Sequence, residues 1–292
     1  MGEVHLIWLI DADPPSEAGG GKGFYPASAS TAPPDATLMR TRLETIHDVA
    51  VAETGGRAVV TLHTSPRYRS DFFQGPYPAI WRRLVAAGLA LALHPHEERA
   101  NGTTFYDDEK HLRQVIAASL QRARAAQIPL AAFRSGSFSF HPALPAILAE
   151  AGIGLDLSAG PGLFDKRRSI DWPAAAAEPD FFSRKGLPVL EVPLGWDGEN
   201  AELDRNYLFN ERTDLAGLIR VLDAISARGA ARGRPELVNF LAHGFGIADP
   251  TWRRQAIAFL RHAEARGVRL LSAQEALRLH GPAPTPARPL PA

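Results

Sequence analysis

Short apolar runs recur along this 292-residue chain at intervals of roughly 30 residues, and the stretches between them have helical spacing. Such alternation is the signature of right-handed βαβ units building a parallel sheet. The clearest run, Leu89 to Leu93, is too short for a helix and reads as a strand buried on both faces. Further strands are expected at Val4–Ile10, Ala58–Leu62, Ile128–Phe133, Ile153–Leu155, Val189–Val192, Leu237–Leu241 and Val268–Leu271. The spacing predicts helices over Ala36–Glu53, Phe73–Ala87, Asp107–Gln127, Pro142–Ala151, Thr213–Arg228, Trp252–Arg266 and Ala273–Leu279. Together they predict one closed or nearly closed parallel barrel over residues 1–280, with no composition break to mark a second domain.

Three stretches fall outside the pattern. Pro14 to Pro34 is rich in Gly, Pro, Ser and Ala and is expected to be a long loop. Its Gly19-Gly20-Gly21-Lys22-Gly23 segment is not a phosphate-binding loop, because no Ser or Thr follows the lysine and the strand end is far away. A second irregular region leads to Gly186 and carries Asp171 and Trp172. The tail from Gly281 to Ala292 is proline-rich and is expected to be disordered.

Successive strands are expected to end in Asp11, His63, His94, Arg134, Asp156 and His243. A parallel barrel gathers those ends on one face, where its active site sits. Any buried strand must finish in polar residues, but that requirement is met as readily by Ser, Asn or Gly. Ionisable groups at six strand ends point instead to a metal-assisted acid–base site. His94-Pro95-His96 fits that reading, since residues two apart on an extended backbone face the same side and both imidazoles can reach one ion. The chain has no cysteine, so a metal here must take histidine and carboxylate ligands. Net charge is zero and gives no footprint for nucleic acid. The N-terminus has neither a basic leader region nor a membrane-length apolar run, so the expected location is cytoplasmic, with no membrane span.

Phe133-Arg134-Ser135-Gly136-Ser137-Phe138-Ser139-Phe140, then Ala151-Gly152-Ile153-Gly154-Leu155-Asp156-Leu157-Ser158, together with His94-Pro95-His96 and Leu241-Ala242-His243-Gly244, resemble the polysaccharide deacetylase (NodB-like) family. The resemblance spans Val4 to about Leu279 and is nearest the branch associated with O-antigen and other surface-polysaccharide biosynthesis. It implies a distorted (β/α)7 barrel, a divalent metal, usually zinc, and removal of acetyl groups from N-acetylated sugars. Three departures stand out. Ala12 separates two aspartates that the family keeps adjacent, the histidines are two apart instead of four, and Gly136-Ser137 stands where many members have Pro-Tyr.

By resemblance, Asp13, His94 and His96 hold the metal and Asp11 is the general base, although the two aspartates could exchange roles. Arg134 pairs with the base, and His243 is the general acid that protonates the leaving amine. Asp156 is expected to hold the His243 tautomer or to begin a turn. His63 reads equally as a substrate contact or a core histidine. Trp172 and Trp196 are candidates for stacking on a sugar or for local packing, and Glu97 and Glu98 for outer partners of the metal site or a solvated helix start. The implied function is metal-dependent N-deacetylation of a nucleotide- or lipid-linked amino sugar. Two rivals remain: a barrel metal hydrolase acting on another amide or a phosphoester, and a non-catalytic carbohydrate-binding relative.

Overall fold

The computed structural model describes residues 2–15, 25 and 35–282. Most of the expected 14–34 loop and the tail beyond 282 lie outside the described residues. The chain runs β1 (Val4–Asp11), α1 (Ala36–Thr54), β2 (Ala58–Thr64), α2 (Tyr77–Ala86), β3 (Ala90–Pro95), α3 (Glu109–Ala125), β4 (Ala132–Phe133) and α4 (Leu144–Glu150). It continues through β5 (Leu155–Asp156), a small hairpin of β6 (Phe164–Asp165) and β7 (Ile170–Asp171), β8 (Leu190–Glu191), α5 (Leu215–Arg232) and β9 (Glu236–His243). A short α6 (Gly244–Ala248), α7 (Pro250–Ala265), β10 (Arg269–Leu270) and α8 (Ala273–His280) complete it.

All pairings in the main sheet are parallel, in the order β9, β1, β2, β3, β4, β5, β8. The seventh strand meets the first just beyond β8, where Gly195 N donates to Asn239 O at 2.9 Å and Asn239 N donates to Pro193 O at 2.8 Å. Those bonds flank a Leu194–Asn239 bridge and curl the sheet into a (β/α)7 barrel. The β9 strand fills one edge of β1 along its whole length, so β10 at His5–Leu6 and β2 at Trp8–Ile10 share the other edge.

Alternation along β1 sorts its side chains. Leu6, Trp8 and Ile10 pack with residues of α1, α2, α5 and α7, while Ile7 and Leu9 join Val59, Leu237 and Leu241 on the opposite face. Each such fully buried aliphatic side chain contributes about 1.5–3 kcal/mol relative to exposure. Asp11 continues the line of Ile7 and Leu9, so the packing that builds the core also aims the carboxylate at the barrel mouth.

Several boundaries differ from the sequence expectation. Pro76 and Pro78 delay the second helix to Tyr77, after a 3₁₀ turn at Asp71–Phe73. Pro129 cannot donate to a ladder, and the fourth strand shrinks to Ala132–Phe133. His63 and His94 lie inside β2 and β3 instead of past their ends. The β6–β7 hairpin, turned at Ser169 with φ 54°, was not anticipated. No helix among the described residues is long and apolar enough to cross a membrane.

Candidate metal centre and its surroundings

Strand register assembles the site in tiers. Asp11 pairs with His243 across β1 and β9, and His63 pairs with His94 across β2 and β3. Two residues beyond β1, Asp13 turns back to the second tier. Its Oδ1 lies 2.8 Å from His63 Nδ1 and 3.5 Å from His94 Nε2, and its Oδ2 lies 3.5 Å from His96 Nε2. All four side chains are buried.

Outer hydrogen bonds fix the two imidazoles expected to be ligands. His94 Nδ1 donates to Arg134 O at 2.8 Å, and His96 Nδ1 donates to Glu98 Oε1 at 2.9 Å. Each Nε2 is therefore the atom that faces inward, and the two lie 3.0 Å apart, a spacing that a proton shared between them satisfies when no ion takes its place. Two lone pairs and a carboxylate converging in a buried space require a cation between them. Ligands about 2.0–2.2 Å from a tetrahedral metal sit about 3.3–3.6 Å apart, close to the spacings seen. Donor type, tautomer and spacing thus fit a divalent metal.

His63 gives a second possible set. Ligand atoms of Asp13, His63 and His96 also lie within 4.8 Å of one another. In the geometry observed, however, its Nδ1–H is committed to Asp13, and its Nε2 has no partner among the described residues. Burial pushes the His63 imidazole down to about 4 against the pull of Asp13, so the ring is a neutral donor. It holds the Asp13 carboxylate and is not among the residues lining the cavity over the site. Burial opposes charge on His96 as well, but Asp13 and Glu98 outweigh it and raise the group to about 10. Glu97 and Glu98 are not a solvated helix start. Both are buried, with Glu98 on His96 and Glu97 on Arg69 (2.5 Å) and His111 (2.7 Å).

Beside this cluster, Asp11 Oδ2 is 3.5 Å from Arg134 Nε and 3.8 Å from His94 Nε2. Asp11 Oδ1 is buried with no hydrogen-bond partner among the described residues. Arg134 is 2% exposed, lies over the Phe138 ring at 4.1 Å and donates to Ser158 O at 3.3 Å. Opposite, His243 is sandwiched between Phe209 and Phe245, with ring centroids 5.3 and 5.0 Å away. Its main-chain N–H donates to Glu211 Oε1 at 3.0 Å, and its Nδ1 lies 3.3 Å from Glu211 Oε2. Burial works against the charged ring, yet Glu211 and the two aspartates raise the His243 pKa.

Of the two expectations for Asp156, holding His243 gives way to Glu211, which takes that place, and the turn alternative matches its bond to the main chain two residues on. Asp156 instead accepts from Ser158 and faces Glu191. Trp196 stacks on Tyr207 and bonds Asn200 O, and it does not line the cavity over the site. Trp172 is a packing anchor, 2% exposed, with Nε1 on Phe138 O. The aromatic walls of the cavity, about 820 Å³ in volume, include Tyr25, Phe138, Phe209, Phe245 and Trp252. Glu211 and these rings lay outside the strand-end pattern and carried no signal within it.

No family model and no curated protein matches the sequence. Solved structures do match the fold. One is described as a polysaccharide deacetylase from Mycobacterium smegmatis, with TM-score 0.58, 12% identity and coverage of 99% of this chain and 95% of that one. The PuuE allantoinase superposes with TM-score 0.55 at 13% identity, covering 97% and 93%. A protein described as a polysaccharide deacetylase from Pseudomonas aeruginosa PAO1 gives 0.54 at 13%, covering 96% and 92%. At these identities the likeness establishes the fold.

Proposed function

We propose that this chain is a metal-dependent hydrolase that removes an N-acyl group, in the simplest case acetyl, from an amino sugar of surface-polysaccharide biosynthesis. The observation that carries the reading is the pair of inward Nε2 atoms facing Asp13, beside the unpartnered oxygen of Asp11. Asp13, His94 and His96 would hold the ion, and this two-nitrogen, one-oxygen set with open positions suits zinc. When bound, such a metal polarises the acyl carbonyl and lowers the pKa of water.

The chain's own groups divide the remaining work. Asp11 takes the proton of the attacking water through its free Oδ1, while Arg134 and the barrel wall keep that carboxylate in place. His243, whose pKa Glu211 raises, donates to the departing nitrogen, which leaves poorly without a proton. Phe209, Phe245 and Trp252 offer apolar faces to a sugar ring. Arg42, Arg168 and Arg212 at the cavity favour a substrate carrying phosphate, as a nucleotide- or lipid-linked sugar does.

The test is acetate release from N-acetylhexosamines offered free, nucleotide-linked and lipid-linked, with metal content measured on the same protein. Release that is lost with the metal in Asp13→Asn supports the proposal. Bound metal with no acetate but turnover of a cyclic amide would favour a different barrel hydrolase. Sugar binding without bound metal would favour a non-catalytic relative.

A further inference from the structure

Behind the catalytic rim lies a group of acids that the proposed chemistry leaves unused. Asp156 and Glu191 are partners in the β5–β8 register, and neither has any exposed surface. Each carboxyl uses one oxygen locally. Asp156 Oδ1 accepts from Ser158 N at 3.1 Å and from Ser158 Oγ, and Glu191 Oε1 accepts from Ala159 N at 3.0 Å. The other two oxygens, Asp156 Oδ2 and Glu191 Oε2, are buried with no partner among the described residues, and the two side chains lie against each other.

No Lys, Arg or His among the described residues forms an ion pair with either acid. The nearest charge is Arg134, reached through Ser158, whose main-chain O accepts from the Arg134 guanidinium at 3.3 Å. Tyr106 is the other titratable group near Asp156, and its hydroxyl is spent on Pro95 O at 2.9 Å. Two adjacent carboxylates in such a place cannot both be ionised, because burial and mutual repulsion act in the same direction. A single proton placed between the two orphan oxygens satisfies both.

We propose that Asp156 and Glu191 share one proton and form a monoanionic pair that braces Ser158 and supplies counter-charge to Arg134, making Glu191 a positioning residue for the catalytic arginine. The charge count supports it. Arg134 is a buried cation whose one ion pair among the described residues is with Asp11, at 3.5 Å, and Asp11 must also answer to the neighbouring metal site. A second negative charge held behind Ser158 lets the guanidinium stay charged without drawing further on Asp11. Burial raises Asp156 to about 6 and Glu191 well above the usual carboxylate range, in keeping with one proton retained at neutral pH.

The experiment needs no substrate, so its outcome is independent of the proposed deacetylation. Infrared difference spectra of the full chain at pH 7 should contain the carbonyl band of a protonated carboxylic acid, and Glu191→Gln should abolish it. Thermal unfolding gives a second readout. A raised carboxyl favours the fold below its unfolded pKa and loses that contribution as pH rises toward its folded value. Glu191→Gln donates the same hydrogen bond at every pH, so its Tm relative to the native chain should climb from pH 5 to pH 8. Glu191→Leu, which leaves Asp156 Oδ2 orphaned, should lower Tm throughout and shift the Arg134 Nε–H resonance, whereas Glu191→Gln should leave that resonance in place. Absence of the carbonyl band in the native chain, or a Tm difference for Glu191→Gln that is flat with pH, overturns the proposal. So does an Arg134 resonance that is indifferent to both variants.

Discussion

The imidazole of His243 lies between two phenylalanine rings, with one carboxylate reaching both its main-chain N–H and its Nδ1. Glu211 raises the pKa of that ring, so Glu211→Gln should lower it. The base-side limb of the pH–rate profile should then move to lower pH, because the proton to be donated is lost earlier. His243→Ala should lower kcat by about 10²–10⁴ while leaving metal content unchanged. Unaltered pH limbs in Glu211→Gln, or metal loss in His243→Ala, would contradict the assignment. Gly246 shows how closely this pair is built: a Cβ there would overlap the Glu211 carboxylate. Asp11, His94, Arg134 and His243 were legible in the sequence because each follows directly on a buried run. Glu211 was not, because it lies on a connection whose path depends on barrel closure, where Phe209 bridges Leu241 of β9. His63 was legible as a position but not as a role, since only the register reveals that it faces Asp13.

At the level of elements, strand order and helix placement follow from apolar periodicity, and the caps agree with it. Asp35, Asp108, Asp214 and Asp249 each accept main-chain N–H groups at the start of α1, α3, α5 and α7, and Ser272 with Glu275 forms a capping box on α8. Less legible were short strands and turns whose geometry is set by neighbours. The turn after β4 is the main case. Ser137 and Phe138 both take left-handed conformations, with φ 53° and 58°, which non-glycine residues hold only where the surroundings impose them. Just before them, a Cβ on Gly136 would lie 2.7 Å from the His96 ring and 2.8 Å from Pro95 O. The glycine is therefore required by the close approach of this turn to the metal-facing histidine. Gly136→Ala should displace His96 and weaken metal affinity by tenfold or more, with helix content unchanged. Calorimetric titration with zinc checks this, and native affinity in the variant would show that the turn has room to give.

For the whole molecule, the centre is also a fastener. Asp13 follows β1 and His94 and His96 belong to β3 and its end, so one ion would tie β1 to β3 across β2, whose His63 holds the Asp13 carboxylate. The barrel is closed elsewhere by short main-chain bridges to β9, at Leu194–Asn239 and Phe209–Leu241. A ligand that binds only the folded chain stabilises it by RT ln(1 + [L]/Kd), or about 2.7 kcal/mol at a hundredfold excess over Kd. At about 2.1 cal/mol/K of unfolding entropy per residue, a chain of 292 residues gains roughly 4–5 °C in Tm from that increment. Adding zinc to chelator-treated protein should restore that increment, and Asp13→Asn should not respond. In the absence of metal the comparison is between two unliganded sites, so the difference between the native chain and Asp13→Asn should be smaller than with zinc present. Differential scanning calorimetry of the two proteins with and without zinc separates these cases. Equal Tm shifts in the native chain and Asp13→Asn would remove Asp13 from the ligand set and leave the histidines to bind alone.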